Sequence, residues 1–282
     1  MKIGVSGASG KLGAATLAEL AKRAVGHQIV GVSRTPDTLP VEGRLADYDR
    51  PETLSSAYSG LDRLLIIPTA DLRPGKRAKQ NVAAIDAAVA AGVPHIVFLS
   101  AAGTRAVKEP AIGAGYYAGE QRLMGTAPKW SIVRMNYYAE ALAEEAKASL
   151  AHGAITSLAA NRVAFVSRND IAAAIAGLLV GEGNEGAIYN LTGPRSLTVA
   201  ARTTIISDLA GKPLSFAVLP EETLRAGLAG AGLPDDVVNA VVSIQKEFAV
   251  GSFDIVTGDI EHLAGKPPRP LEDVLAQAFA SV

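Results

Sequence analysis

The sequence of 282 residues contains no cysteine. This absence excludes disulfides, thiolate nucleophiles, iron–sulfur clusters and cysteine-ligated zinc. Histidine is scarce too, with only four residues and no H-x-x-x-H pair, so we expect no histidine-rich metal site. A chain without cysteine is typical of a reducing compartment, and we therefore expect a cytoplasmic protein.

The sequence also lacks an excess of charge of either sign. Lys and Arg number 27 against 28 for Asp and Glu, which argues against a dedicated nucleic-acid binder or a polybasic membrane binder. The longest apolar stretch, residues 171–181, is shorter than the about 20 residues that cross a bilayer. No secretory signal peptide is visible at the start of the sequence. We expect neither a nucleic-acid partner nor a membrane partner.

Short apolar runs alternate with helical periodicity along the first half of the chain. The runs that predict strands are residues 2–6, 28–33, 63–67, 95–100 and 130–134. Strands separated by helices of ten or more residues indicate βαβ units and a parallel sheet with helices on both faces. The predicted fold is α/β, a doubly wound parallel sheet of the Rossmann type.

The regular alternation of strands and helices ends after residue 134, where mostly helical segments follow one another. We predict a nucleotide-binding domain over residues 1–152, to which a strand near residues 188–191 returns. The rest, residues 153–282, is predicted to form a smaller, mostly helical substrate lobe. Asn169 or Asp170 is expected to cap the Ala-rich helix that follows.

The strongest motif is a glycine loop, Gly7-Ala-Ser-Gly10-Lys-Leu-Gly13, between the first strand and the first helix. Glycine permits a tight turn, lets the backbone approach a pyrophosphate and lets the helix pack on the strand. The helix N-terminus adds free N–H groups and the positive end of a dipole. The loop predicts dinucleotide binding; the alternative is an ordinary strand–turn–helix connection.

The second strand ends in Val32-Ser33-Arg34-Thr35, with no acidic residue. An NAD-specific site usually has a carboxylate there, for the ribose hydroxyls. Arg34 instead presents a planar cationic fork that suits a 2′-phosphate. The sequence therefore predicts NADP(H) as the cofactor, unless Arg34 is only a solvated charge.

Several segments together resemble a known family. They are GASGKLG, SRTP, ADYDRPETL, RLLIIPT, QNVAAIDAAVAAGVPHIVFLS, VRMNYYAE, VSRNDIAAA and YNLTG. The chain resembles the NmrA-like group of atypical short-chain dehydrogenases/reductases, and within it the bacterial branch that reduces quinones and triphenylmethanes. The resemblance implies that the residues near the cofactor are Gly7, Ser9, Gly10, Lys11, Leu12, Arg34, Pro68 and Thr69. It also implies that Ser100 and Ala101 lie near the nicotinamide, and Tyr137 and Tyr138 near the nicotinamide or the substrate.

One motif of better-known short-chain reductases is missing. Those enzymes place Lys four residues after a catalytic Tyr, on the same helix face. Here Glu120 and Gln121 follow Tyr116 and Tyr117 at that spacing. A carboxylate would raise rather than lower the pKa of a neighbouring tyrosine, so tyrosinate-like proton transfer is not expected.

A quinone accepts hydride directly, and binding geometry can then carry most of the catalysis. We name Tyr116, Ser100 and Tyr137 as candidate catalytic residues at the mouth of the cofactor site. Tyr116 either donates a hydrogen bond to a substrate oxygen or merely packs at a helix start. The charged segment over residues 71–79 is expected to be a solvated flap over the cleft.

These observations predict an enzyme, an NADPH-dependent oxidoreductase that transfers hydride to a quinone or a similar electron-poor conjugated aromatic acceptor. The alternative is a non-catalytic NADP(H)-binding redox sensor of the NmrA type. A sugar-nucleotide epimerase is disfavoured because that reaction needs a tyrosine acid/base. A homodimer is the default expectation for the assembly.

Overall fold

Seven parallel strands form the central sheet, and their order across it is residues 42–45, 28–33, 2–6, 63–66, 95–101, 129–135 and 187–191. The structure is a computed structural model that describes residues 1–280. Its strands are β1 (Lys2–Ser6), β2 (Gln28–Ser33), β3 (Glu42–Leu45), β4 (Arg63–Ile66), β5 (His95–Ala101), β6 (Lys129–Met135), β7 (Ala154–Ser157), β8 (Arg162–Val163), β9 (Ala187–Leu191), β10 (Leu197–Thr198) and β11 (Ser215–Val218). The predicted doubly wound Rossmann sheet is confirmed.

Helices cover both faces of this sheet. They are α1 (Lys11–Arg23), α2 (Leu54–Tyr58), α3 (Lys76–Ala90), α4 (Gly113–Thr126), α5 (Ala139–His152), α6 (Arg168–Val180), α7 (Val199–Ala210), α8 (Glu221–Gly230), α9 (Asp235–Ala249), α10 (Asp259–Ala264) and α11 (Leu271–Ala280). Helices α1 and α6 bury one face of the sheet, and α2, α3 and α4 bury the other. Strands β4 and β5 are buried almost throughout, as apolar strands of a parallel sheet are when helices cover both faces.

The order of strands reverses between β1 and β4, because β2 and β3 extend the sheet one way and β4, β5 and β6 the other. The crossovers from β1 and from β4 therefore leave on opposite faces and open a crevice at the carboxyl ends of the strands. Ligands of doubly wound sheets bind in this crevice.

The start of α6 differs from the prediction. Its N-cap is Ser167, whose backbone is extended and whose side chain accepts a hydrogen bond from the Asn169 amide. Asn169 and Asp170 lie inside the first turn, so naming either as the cap was wrong. The Asp170 carboxylate instead accepts a hydrogen bond from the Arg269 amide at 2.9 Å.

The remaining elements build a smaller lobe beside the sheet. Strands β7 and β11 pair in parallel, β8 and β10 pair antiparallel, and α5, α7 and α11 enclose a separate apolar cluster. Strand β9 leaves this lobe and pairs with β6, with Ile188 opposite Ile132. The division after residue 152 stays a prediction, and residues 281 and 282 of the predicted lobe lie outside the described residues.

No helix within residues 1–280 is both long and apolar enough to cross a membrane.

Candidate active site

A cleft of about 470 Å³ lies at the carboxyl ends of β1, β2 and β4; we call it the cofactor cleft. The predicted cofactor residues that line it are Gly7, Ser9, Gly10, Lys11, Leu12, Gly13, Arg34, Pro68 and Thr69. The other predicted residues lie outside it, at the end of β5, on α4 and in the segment between β6 and α5. The structure thus separates the predicted site into two groups.

The glycine loop has the geometry that its spacing predicts. Gly7 has a φ of +86°, which only glycine adopts at little cost. A Cβ on Gly13 would lie 2.3 Å from the Gly7 carbonyl oxygen, so the helix can approach the strand this closely only without a side chain. No side chain caps α1 and no acidic residue lies in its first turn. Its first amides are therefore available to an anionic ligand.

Arg34 extends from the end of β2 into solvent at the rim of the cleft. It forms no ion pair with any carboxylate in residues 1–280. Beside it, Ser33 Oγ donates to Ser9 Oγ at 2.8 Å and accepts from the Thr35 amide at 3.1 Å. This hydroxyl cluster joins the glycine loop to the end of β2 and leaves the guanidinium free for a phosphate.

The opposite wall of the cleft is held by hydrogen bonds between segments that lie far apart in the sequence. The Tyr48 hydroxyl lies 2.8 Å from Ser6 Oγ and donates to the Ile67 carbonyl at 3.0 Å; burial raises its pKa to about 12, so it stays protonated. Gln80 accepts from Thr69 Oγ1 at 2.6 Å and donates to Asp49 at 2.8 Å. These bonds fix the loops after β3 and β4 relative to each other.

A second cavity, of about 120 Å³, opens where β5 and β6 end; we call it the apolar cavity. Its walls include Ala101, Tyr116, Met135, Asn136, Tyr137, Tyr138, Ile244 and Phe253. The structure therefore brings together four predicted residues, namely Ala101, Tyr116, Tyr137 and Tyr138. Ile244 and Phe253 come from the far end of the chain, and no sequence motif marks them.

The three tyrosines of the apolar cavity differ in their hydrogen bonds. The Tyr137 hydroxyl donates to Glu145 at 2.5 Å, and its ring packs edge-on against Phe248 at 5.1 Å. The Tyr138 ring lies 5.1 Å from the Arg168 guanidinium. Burial raises the pKa of Tyr137 and of Tyr138 above the usual value. The Tyr116 hydroxyl has no hydrogen-bond partner within the part of the chain that the structure describes, so it is free to donate to a ligand.

Ser100 does not line either cavity. Its hydroxyl is completely buried and donates to Glu120 Oε1 at 2.6 Å. Arg134 binds both oxygens of the same carboxylate, at 2.8 and 2.6 Å. Glu120 thus connects α4 to the ends of β5 and β6. It occupies the position four residues after Tyr116, where other short-chain reductases have the lysine of their Tyr-x-x-x-Lys motif. A catalytic role for Ser100 stays a prediction.

The segment over residues 71–79 is only partly the solvated flap that we expected. Arg73 is exposed and paired with Asp71. Arg77 belongs to α3, not to a flap, and only 9% of its surface is exposed. The expectation was wrong for Arg77 because α3 begins at Lys76 and turns this residue toward α4.

The sequence model of a family described as NAD(P)H-binding matches residues 7–181. The chain belongs to this family. Its sequence is 29% identical over 285 residues to quinone oxidoreductase 2 of Escherichia coli strain K12, with 98% of each chain covered. The resemblance to NmrA-like oxidoreductases is confirmed.

Two solved structures superpose on almost the whole chain. The NADPH-dependent quinone oxidoreductase of Escherichia coli in complex with NADPH gives a TM-score of 0.90 at 28% identity and covers 98% of this chain and 99% of its own. Triphenylmethane reductase of a Citrobacter species in complex with NADP(H) gives 0.88 at 27% identity, covering 99% and 100%. The similarity includes the C-terminal lobe as well as the sheet.

The cofactor cleft fits the dinucleotide that the family binds. A side chain at Gly13 would displace the loop, and the first turn of α1 carries no competing carboxylate. Arg34 forms no ion pair with the carboxylates of residues 1–280. Gly7, Gly10 and the start of α1 would hold the pyrophosphate, and Arg34 the ribose phosphate. The described residues contain no group of three or more His, Asp or Glu side chains that could hold a metal ion.

Proposed function

We propose that the protein is an NADPH-dependent reductase that transfers hydride to a quinone or a similar electron-poor conjugated aromatic acceptor. The observation that carries this proposal is the apolar cavity, which lies at the carboxyl ends of β5 and β6 and is walled by three tyrosine rings. Its carboxylate, Glu247, is neutralised by two hydrogen bonds from Arg105, at 2.7 and 2.9 Å. Such walls suit a flat, uncharged ring.

The relatives support the same class of acceptor. The Escherichia coli relative is named a quinone oxidoreductase and the Citrobacter structure a triphenylmethane reductase. The substrates in both names are conjugated aromatic or quinoid systems. The preference for NADPH over NADH rests on Arg34, which has no carboxylate beside it and ends β2 where the ribose phosphate would lie.

The reduced nicotinamide of the bound cofactor supplies the hydride. The side chains of this protein have to position the acceptor and exclude water, because a quinone needs only one hydride and one proton to become a hydroquinone. Tyr116, whose hydroxyl is unpartnered, donates a hydrogen bond to an acceptor oxygen. Tyr137 and Tyr138 stay neutral because burial raises their pKa, so they form walls rather than bases.

The test is the oxidation of NADPH by the purified protein with 1,4-benzoquinone, measured at 340 nm beside the same assay with NADH. We expect enzyme-dependent turnover with a clear preference for NADPH. Turnover that prefers NADH would support the reductase activity but contradict the role of Arg34 in selecting NADPH. Tight binding of NADPH without turnover of any quinone would favour the redox-sensor alternative.

We further propose a cytoplasmic location and a homodimer. The absence of cysteine supports the first, and the prevalence of twofold assemblies supports the second. Light scattering on a size-exclusion column tests the assembly: a mass of twice 29.0 kDa is expected, and a monomeric mass would overturn it.

A further inference from the structure

A third cavity, of about 250 Å³, lies between the start of α3, the segment before α4 and the start of α9; we call it the charged cavity. It shares Asp71 with the cofactor cleft and Ile112 with the apolar cavity. A ligand whose ring fills the apolar cavity would therefore extend a substituent toward it.

Arg77 forms the inner wall of the charged cavity, and its packing fixes the side chain. Its stem passes over Gly115, where an added Cβ would lie 3.2 Å from Arg77 Cβ and Cγ. Its guanidinium lies 5.2 Å from the centre of the Tyr116 ring. The Asn81 side chain donates to the Gly115 carbonyl at 2.9 Å and holds α4 against α3. Arg77 is thus positioned between the two cavities.

Within the described residues, this arginine has no acceptor for its N–H groups. Its Nε is buried without a hydrogen-bond partner, and the side chain makes neither an ion pair nor a hydrogen bond within residues 1–280. Buried arginines are normally paired, because an uncompensated buried charge destabilises the folded state. The contact with the Tyr116 ring compensates only part of that cost.

The acidic residues around the charged cavity do not supply the missing partner. Asp71 is bound to Arg73, and Asp236 accepts from the Val237 amide at 2.9 Å. Glu109 and Asp235 are exposed at the rim. A ligand group that reaches Arg77 therefore needs acceptor oxygens, and a group with a single negative charge is repelled less by this rim than a dianionic phosphate.

We propose that Arg77 binds a carboxylate carried by the aromatic acceptor, which makes it a specificity-determining residue of the reductase proposed above. A carboxylate matches the planar fork of the guanidinium with two parallel hydrogen bonds. The aromatic ring occupies the apolar cavity, and the carboxylate passes Ile112 into the charged cavity.

Calorimetric titration of the NADP⁺-loaded protein with 2-naphthoate and 2-naphthamide tests this subsite without turnover. The two probes have the same shape and differ in charge. We expect the wild type to bind 2-naphthoate at least tenfold more tightly, and Arg77→Gln to reduce the difference to less than twofold. Equal binding of both probes by the wild type would overturn the proposal.

Lys79→Gln is the matched control, since it removes the same charge from an exposed position on the same helix. It should keep the tenfold discrimination. Asp235→Asn removes a rim charge and should strengthen binding of 2-naphthoate about twofold at low salt. If Lys79→Gln weakens binding as much as Arg77→Gln does, general electrostatics would explain the discrimination and the subsite would be refuted.

Thermal stability separates a ligand-binding arginine from a structural one. Replacing an unpaired buried charge with an apolar chain of similar length should leave the midpoint temperature of Arg77→Met unchanged or higher. A decrease of 5 °C or more would show that Arg77 stabilises the fold and would overturn its assignment. If the protein discriminates between the two probes but reduces no quinone, the carboxylate subsite is supported and the proposed reductase function is refuted.

Discussion

The cofactor cleft and the apolar cavity both lie at carboxyl ends of strands of the central sheet, but they are built in different ways. The cleft takes its walls from segments within the first 80 residues, and the three glycines of the glycine loop line it. The apolar cavity joins segments from Ala101 to Phe253 and is walled largely by long side chains. A substitution in the cleft should therefore disrupt a rigid local geometry, whereas one in the cavity should change a single contact.

The largest effect should come from Gly13→Ala in the cleft. The added Cβ would lie 2.3 Å from the Gly7 carbonyl oxygen, so the loop and α1 must separate and the N–H groups move away from the pyrophosphate. We expect NADPH affinity to fall at least 100-fold in a fluorescence titration. Gly125→Ala, in a helix with open space around it, should leave affinity unchanged. Affinity of Gly13→Ala within threefold of the wild type would contradict a rigid cleft.

Arg34→Gln should have the next largest effect. Hydrogen bonds to a charged partner contribute about 1.5–3 kcal/mol, so NADPH affinity should fall about 10- to 100-fold while NADH affinity changes less than about threefold. Arg50→Gln, an exposed arginine paired with Glu52, serves as the control. Equal losses for both cofactors would mean that Arg34 does not recognise the ribose phosphate.

Tyr116→Phe tests the apolar cavity, where a smaller effect is expected. The change removes a hydroxyl but keeps the ring against Arg77, so kcat/KM for benzoquinone should fall about three- to tenfold, which corresponds to one neutral hydrogen bond. NADPH affinity should not change. Tyr117→Phe, which lies outside the apolar cavity, is the control. An unchanged kcat/KM would leave Tyr116 as a wall of the cavity only.

The smallest effect should appear far from both sites, at His95 on the amino end of β5. Burial lowers its pKa from the ordinary 6.5. As the pH falls below 6.5, the unfolded chain binds a proton that the folded chain does not, and the free energy of unfolding decreases. The midpoint temperature of the wild type, measured relative to that of His95→Asn, should therefore fall by about 1–2 °C from pH 7.5 to pH 5.5. A difference that stays constant between the two pH values would contradict this expectation.

Most of the cofactor cleft could be predicted from the sequence because its determinants are local. The spacing of Gly7, Gly10 and Gly13 and the absence of an acid beside Arg34 are visible without knowing which segments meet. The hydrogen bonds of Tyr48 and Gln80 could not be predicted. They join the loop after β3 to the loop after β4, and only the folded sheet brings these two loops together.

The apolar and charged cavities could be predicted only in part. Residues 244 and 253 reach the ends of β5 and β6 through the packing of the C-terminal lobe, which no motif describes. The burial of Arg77 did have a signal. It stands four, seven and eleven positions before Asn81, Ala84 and Ala88, which all lie on the buried face of α3. Applying that helical periodicity to Arg77 itself would have placed its side chain inside.

The return of β9 to the sheet constrains how this chain can be divided or rearranged. A fragment ending at residue 152 would lack both β9 and α6, so the edge of β6 would be unpaired and the apolar side of α1 uncovered. Later still, Leu263 of α10 approaches the backbone of α6 at Gly177 so closely that no side chain fits there. An exposed strand edge is a template for pairing with further copies. New acceptor pockets in such a protein must therefore arise by insertions between these returning elements, not by exchanging one end of the chain.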